Sequence, residues 1–353
     1  MRKIRLLIVD DAVLVRRRVS EVLSDDPDLE VVGVAANGQI ALAKISHLNP
    51  DLVVLDLEMP EMDGLETLAA LRKTHPSLPV ILFSAFTERG AAATLEALAL
   101  GAKDYVTKPS QMGSAEVANL HLRQQLIPKI KIFCADIIKQ HQEVITPLST
   151  TRSDPPLSRL LHKRVEVVAI GVSTGGPNAL AAILPQFPAD FPVPIVIVQH
   201  MPPLFTQSLA QRLTVKCNIP VAEGFEGATL EAGRAWIAPG DYHMIVERSD
   251  RTVRLRTHQE PPVNSCRPAV DVLFRSVAQT YGGATLAVVL TGMGQDGFRG
   301  CECIQKAGGQ ILVQDQASSV VWGMPGFVAK AGLADKVLPL EQIATEILRA
   351  VNG

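Results

Sequence analysis

The sequence carries no basic excess. Its 34 Lys+Arg face 36 Asp+Glu, a formal net charge of −2. Neither part has a large basic surplus: residues 1–125 hold 13 basic against 17 acidic side chains, and the remainder 21 against 19. Phosphate backbones are gripped by surplus Lys and Arg, so a nucleic-acid-binding output is disfavoured, and no helix-turn-helix pattern argues otherwise. No stretch approaches the roughly 18 consecutive apolar residues of a membrane span. The opening MRKIRLLIVDD has an apolar run of residues 6–9 closed by two aspartates, too short for a signal peptide. Cysteine is scarce and scattered: Cys134, Cys217, Cys266, Cys301 and Cys303. The close pair Cys301-Glu302-Cys303 has no second pair or histidine at zinc spacing, so a metal site there is disfavoured. These absences predict reduced thiols in a soluble cytoplasmic protein that does not insert into membranes.

What is present is core-forming material. With 353 residues, 47% hydrophobic and 20% charged, the chain suits two folded domains of about 100–200 residues each. Short apolar runs at 4–9, 30–35, 52–55, 80–83 and 104–106 alternate with helical periodicity at 13–23, 39–46, 64–73 and 91–100. Such βα repeats predict a five-stranded parallel sheet covered on both faces, with functional loops at the carboxyl ends of strands. Residues 115–145 have helical spacing interrupted at Pro128, and 146–156 are rich in turn formers. They read as a helical connector and a flexible linker. A second block follows, with strands at 165–172, 194–199, 235–238, 284–290 and 310–313 and an antiparallel hairpin of 244–247 with 252–256. The fold class is therefore α/β twice: a flavodoxin-like domain at 1–122, a connector at 123–163, and a doubly wound, mostly parallel domain at 164–353.

In the first domain Asp10 and Asp11 follow the first strand and Asp56 the third, so three carboxylates converge at the switch point. Like charges so packed call for a hard divalent cation, and magnesium suits a few carboxylates plus water and phosphate. Ser84 ends the fourth strand and Lys108-Pro109 follows the fifth, a hydroxyl and a point charge for phosphoryl oxygens. The set Asp10-Asp11, Asp56-Leu-Glu58-Met-Pro60, Asp63-Gly64, Ser84-Ala85, Tyr105 and Lys108-Pro109 resembles the receiver domain of bacterial response regulators. The resemblance implies that Asp56 accepts a phosphoryl group from a histidine kinase. It also implies that Asp10, Asp11, Asp56 and the Glu58 backbone carbonyl surround Mg²⁺, and that Ser84 and Tyr105 report the phosphorylated state. A phosphoryl group adds roughly −1.5 to −2 charge, which Mg²⁺ and Lys108 must balance.

The second domain opens with a strand running into Gly171-Val-Ser173-Thr174-Gly175-Gly176-Pro177 and a helix. This G-x-S-x-G turn places Ser173 where unpaired N–H groups and the helix dipole favour negative charge. Taken alone, such a Gly-rich strand–helix turn more often binds phosphate or simply turns. A hydroxyl nucleophile needs a base, and His200 ends the next strand; the base needs an orienting carboxylate, and Asp296 follows the strand at 284–290. The order Ser, His, Asp differs from the Ser, Asp/Glu, His of α/β-hydrolases. Asp241 and Asp271 are competing carboxylates, and His243 is a rival base. Asp241 reads as a loop near the site and Asp271 as the opening turn of a helix at 270–279.

The motifs Ser173-Thr-Gly-Gly-Pro, Gln199-His-Met-Pro-Pro, Ile237-Ala-Pro-Gly-Asp-Tyr-His-Met, Arg267-Pro-Ala-Val-Asp-Val-Leu-Phe, Thr291-Gly-Met-Gly-Gln-Asp-Gly and Gly323-Met-Pro-Gly resemble, in order, the chemotaxis protein-glutamate methylesterase (CheB) family. The resemblance implies a Ser173–His200–Asp296 triad, an oxyanion site using the Met293 backbone N–H, and support of the histidine by Thr174. It implies hydrolysis of glutamyl methyl esters and deamidation of glutamines on chemoreceptors, with no cofactor for hydrolysis. It further implies that the receiver restrains the catalytic cleft until Asp56 is phosphorylated by the chemotaxis kinase. The chain departs from the family at Asn264-Ser-Cys266-Arg267-Pro-Ala269, where His-Arg-Pro-Ser is common. A receiver joined to a general serine hydrolase, and a phosphorylation-switched binding module, are the other readings.

Overall fold

The computed structural model describes residues 2–108, 114–135, 137 and 164–353. Pro109, the rest of the expected connector and the linker at 146–156 lie outside the described residues. The chain forms two compact units, Met1–Asp154 and Pro155–Gly353.

In the first unit, β1 (Ile4–Val9), β2 (Leu29–Ala35), β3 (Leu52–Asp56), β4 (Val80–Ser84) and β5 (Asp104–Thr107) pair in parallel, in the order β2-β1-β3-β4-β5. β3 and β4 are buried along their whole length, as continuous Val/Ile/Leu runs should be when helices cover both faces. The helices are α1 (Val13–Ser24), α2 (Gly38–Leu48), α3 (Gly64–Thr74), α4 (Glu88–Ala99) and α5 (Ala115–Phe133). Several start where a side chain satisfies an orphan N–H: Asn37 for α2, Thr87 for α4, and a reciprocal Asp63–Glu66 capping box for α3.

The interruption expected at Pro128 does not occur. α5 runs through it to Phe133, and Leu122, Leu126 and Ile130 pack into the same core as Ile4, Leu6, Ile8 and Phe83. Proline forfeits the hydrogen bond to the residue four before it, but Gln124 is exposed and water can take that carbonyl. The buried i, i+4, i+8 stripe keeps the helix continuous through the defect, so the core of the first unit extends past residue 122.

The second unit holds a seven-stranded, all-parallel sheet of β6 (Val167–Val172), β7 (Ile195–Gln199), β8 (Val221–Glu223), β9 (Ala235–Ile237), β12 (Thr285–Val289), β13 (Gln310–Gln314) and β14 (Lys336–Leu338). Their order is β14-β13-β12-β6-β7-β9-β8, so the chain fills one side of β6 first, with β9 inserted between β7 and β8, and the other side later. The switch point lies between β6 and β12, which pair from Thr285↔Val167 to Val289↔Gly171. The covering helices are α6 (Gly176–Ile183), α7 (Phe205–Lys216), α8 (Val270–Tyr281), α9 (Phe298–Lys306), α10 (Met324–Lys330) and α11 (Leu340–Asn352). β10 (His243–Ser249) and β11 (Thr252–His258) form the expected antiparallel hairpin. It is fastened to α8 by Ser276, whose hydroxyl accepts from Val246 N–H, and by Thr280, which donates to the Val246 carbonyl. β8 and β14 were not expected from the sequence, because each is short and carries a charged residue, Glu223 and Lys336, where the expected strand of the same length, β9, is wholly apolar.

Candidate active site

The register of the second sheet sets the geometry. β6 and β7 pair up to Val172↔Gln199, so Ser173 and His200 each stand one residue beyond neighbouring strand ends. His200 N–H donates to the Val172 carbonyl at 3.2 Å, and Ser173 N–H to the Thr291 carbonyl at 3.0 Å. The chain then turns into α6 at Gly175, which has φ +81°, a conformation that costs glycine little. Gly292 is there for a different reason: a Cβ on it would lie 2.9 Å from Ser173 Cβ and 2.4 Å from Met324 Sδ. The loop after β12 is thereby pressed against the serine.

That loop delivers Asp296, whose carboxylate is 2% exposed beside a His200 ring 12% exposed, with Nε2 and Oδ2 2.8 Å apart. Four further donors converge on the carboxylate. Val270 N–H reaches Oδ2 at 2.6 Å, while Asp271 N–H (3.1 Å), Gly297 N–H (3.0 Å) and Asn264 Nδ2 (2.8 Å) reach Oδ1. Two of those N–H groups open α8, where the helix dipole favours an anion. Burial favours a protonated Asp296, but the imidazole and these donors outweigh it and hold its pKa below the ordinary carboxylate value. Burial likewise opposes a charged His200, yet Asp296 and the Cys266 sulfur prevail and raise its pKa above 6.5. Since a carboxylate only accepts, Nε2 must carry the donated proton, and Nδ1 is the lone pair of the neutral ring.

Ser173 is half-buried, and its Oγ makes no hydrogen bond to another described residue. The Met293 N–H is likewise given to no other described residue. The adjoining Gly294, at φ +87°, is exposed with open space where a Cβ would stand. Thr174 is buried, and its carbonyl accepts from Thr291 Oγ1 at 2.9 Å. The three sequence-selected side chains are therefore gathered at one rim of the sheet, with an unspent amide beside them. The rivals are occupied elsewhere. His243 is buried, with Nδ1 accepting from Ala269 N–H and Nε2 against the Pro261 carbonyl, and burial lowers its pKa. Asp271 caps Gly300 N–H at 2.6 Å, and Asp241 pairs with Arg267.

Four residues to which the sequence assigned no role shape the site. Gln199 Nε2 donates to the Ser173 carbonyl at 3.0 Å, and Gln314 Oε1 accepts from Thr291 N–H at 2.8 Å. The available signal was a glutamine closing an otherwise apolar strand. Asn264 bridges Asp271 and Asp296, each at 2.8 Å, and Cys266 Sγ lies 3.6 Å from His200 Nδ1. Asn264 lies in, and Cys266 closes, a two-residue turn in which Val263 and Cys266 exchange backbone hydrogen bonds while Asn264 and Ser265 take φ of 53° and 62°, as a type I′ turn requires.

In the first unit, ligand oxygens of Asp10, Asp11 and Asp56 lie within 4.8 Å of one another. Lys108 Nζ spans 2.8 Å to Asp10 Oδ2 and 2.7 Å to Asp56 Oδ2. Burial, helped by Asp10 and resisted by Lys108, pushes the Asp56 pKa up to about 6. Burial works against the Lys108 cation, but the two carboxylates raise its pKa. Ser84 is buried with its Oγ 3.2 Å from the Gly90 carbonyl and 2.7 Å from Thr94 Oγ1. Tyr105 is buried, with Lys129 Nζ 5.5 Å from its ring centre. The donor set is hard oxygen throughout, which fits a magnesium ion. Among the described residues no helix is long and apolar enough to cross a membrane.

Comparison with known proteins agrees along the whole chain. The CheB methylesterase family matches residues 168–347 and the response regulator receiver domain family residues 6–117. A protein-glutamate methylesterase/protein-glutamine glutaminase of Trichodesmium erythraeum (strain IMS101) is 59% identical over 352 residues, covering 100% of both chains. The protein of the same name from Nocardioides sp. is 50% identical over 349 residues, covering 98% of this chain and 95% of its own. The crystal structure of the Thermotoga maritima CheB methylesterase catalytic domain is 41% identical, covers 53% of this chain and 99% of its own, and superposes with a TM-score of 0.52. With receiver and hydrolase domains both matched and full-length relatives so similar, the chain belongs to the CheB family of response-regulator methylesterases.

Proposed function

We propose that this chain hydrolyses glutamyl methyl esters, and deamidates glutamines, on chemoreceptors. The observation that carries the reading is the 2.8 Å contact of His200 with a buried, ionised Asp296, on the strand end next to Ser173. Asp296 fixes the tautomer, so His200 Nδ1 accepts the Ser173 proton as Oγ attacks the ester carbonyl. The oxyanion is met by the Met293 N–H, and the protonated imidazole gives its proton to the departing methanol. Water then enters, loses a proton to His200 and releases the glutamate and Ser173. Thr174 supports the site, its carbonyl held by the Thr291 hydroxyl. The open surface at Gly294 suits a substrate carried on the face of a helix.

The receiver supplies control. Asp56 accepts a phosphoryl group from the chemotaxis histidine kinase, with Ser84, Tyr105 and Lys108 reading the new charge. Asp10, Asp11, Asp56 and the Glu58 carbonyl would hold Mg²⁺, which when bound neutralises phosphoryl oxygens. The unphosphorylated receiver restrains hydrolysis and phosphorylation releases it; the order receiver, linker, hydrolase in one chain motivates this reading. The reading implies a cytoplasmic enzyme. The test is methanol release from methylated receptors with and without a phosphoryl donor, using the full chain. Ser173→Ala should remain folded and lose activity by several orders of magnitude; hydrolysis by that variant at the wild-type rate would overturn the assignment.

A further inference from the structure

The turn that departs from the family's usual sequence brings a thiol to the catalytic base. Cys266 Sγ stands 3.6 Å from His200 Nδ1, and His200, Cys266 and Asp296 each offer a ligand atom within 4.8 Å of the others. Zinc binds thiolate sulfur at about 2.3 Å and imidazole nitrogen at about 2.0–2.1 Å, so a tetrahedral angle sets those donors about 3.6 Å apart. The observed separation is already that edge. The imidazole is also prepared as a ligand: Asp296 accepts its Nε2 proton at 2.8 Å, leaving the Nδ1 lone pair outward. A metal-bound histidine is typically oriented by a carboxylate in this way. Asp296 itself is spent, since five donors occupy its two oxygens, so it belongs behind the imidazole and not on an ion.

The thiol is held in place and within reach. Its turn is closed by paired Val263–Cys266 backbone bonds and tied down through Asn264 to two carboxylates, while Cys266 is only partly buried. We propose that Cys266 Sγ and His200 Nδ1 form a site for a thiophilic divalent cation such as Zn²⁺, and that filling it stops ester hydrolysis. On binding, the Cys266 thiol loses its proton to solvent, sulfur and Nδ1 donate one lone pair each, and water completes the coordination. Inhibition follows because Nε2 is committed to Asp296, so Nδ1 is also the nitrogen that must take the Ser173 proton. One lone pair cannot serve both. The inhibition half rests on the hydrolase reading; the binding half does not.

The test uses the full chain with magnesium in excess, so that the acidic receiver pocket is not left to the added metal. Zinc is titrated by calorimetry and cobalt by absorption, on wild type, Cys266→Ser and Cys266→Ala. The expected result is a site weakened about tenfold or more in both variants, with a thiolate-to-cobalt charge-transfer band seen in wild type alone. Zinc should block wild-type ester hydrolysis, a chelator should restore it, and both variants should hydrolyse with about tenfold or more lower zinc sensitivity. Unchanged zinc affinity without Cys266, or no thiolate band in wild type, overturns the site. Undiminished hydrolysis with zinc bound overturns the inhibition. If wild type hydrolyses no ester, the hydrolase reading fails and the two titrations still decide the metal site.

Discussion

Asp296→Asn keeps the shape of the side chain, so hydrogen bonds alone decide what it does. The carboxylate accepts from three donors at Oδ1 and from two at Oδ2. An amide must turn its NH₂ to one side or the other. Facing the Oδ1 side, it opposes Asn264 and two main-chain N–H groups, with no relief. Facing the Oδ2 side, it opposes Val270 N–H and His200, and the imidazole can shift its proton to Nδ1. The second arrangement is cheaper, yet it orphans the buried Val270 N–H at about 1–3 kcal/mol and weakens the remaining charge-assisted bonds, for a total of about 3 kcal/mol. It also leaves the proton on the nitrogen that should accept from Ser173, which costs about 10³–10⁴-fold in turnover. Both tryptophans, Trp236 and Trp322, belong to the catalytic unit, so urea unfolding followed by their fluorescence reads this domain alone. A variant with the wild-type midpoint, or with turnover within tenfold of wild type, would refute the reasoning.

Other consequences can be checked directly. Because the His200 pKa is raised, the imidazole is protonated and idle at low pH, so kcat/KM for ester hydrolysis should climb with a midpoint above pH 6.5; a limb at or below pH 6 contradicts the Asp296 pairing. Asn264→Gly retains the positive-φ turn but removes the amide that bridges Asp271 and Asp296. It should lower the stability of the catalytic unit by about 1–2 kcal/mol, measured by the same fluorescence, whereas Asn264→Ala should cost more through backbone strain.

Much of this organisation was legible in the sequence, because buried parallel strands announce themselves as short apolar runs and the candidate catalytic side chains follow them, Ser173 and His200 at once and Asp296 after a short glycine-rich loop. Ser173, His200 and Asp296 could be picked out one strand end at a time. Pro128 misled because its effect depends on which face of α5 loses the bond, and that face is known only once Leu126 and Ile130 are seen in the core. Asn264 and Cys266 act on partners 32 and 66 residues away, contacts no local pattern encodes. The sequence favoured His200 over His243 as the base, but not on the ground that the folded chain supplies. Both are strand-associated histidines, and only the folded chain reveals that His243 has both nitrogens engaged.

The seven-stranded sheet ends at both margins in strands of three residues, β8 and β14. An open sheet offers its border peptides to any passing chain, and the invitation grows with the length of the border. Here so few amides are on offer that a stray segment could gain only a bond or two. This border therefore adds little to any pairing between one copy of the sheet and another.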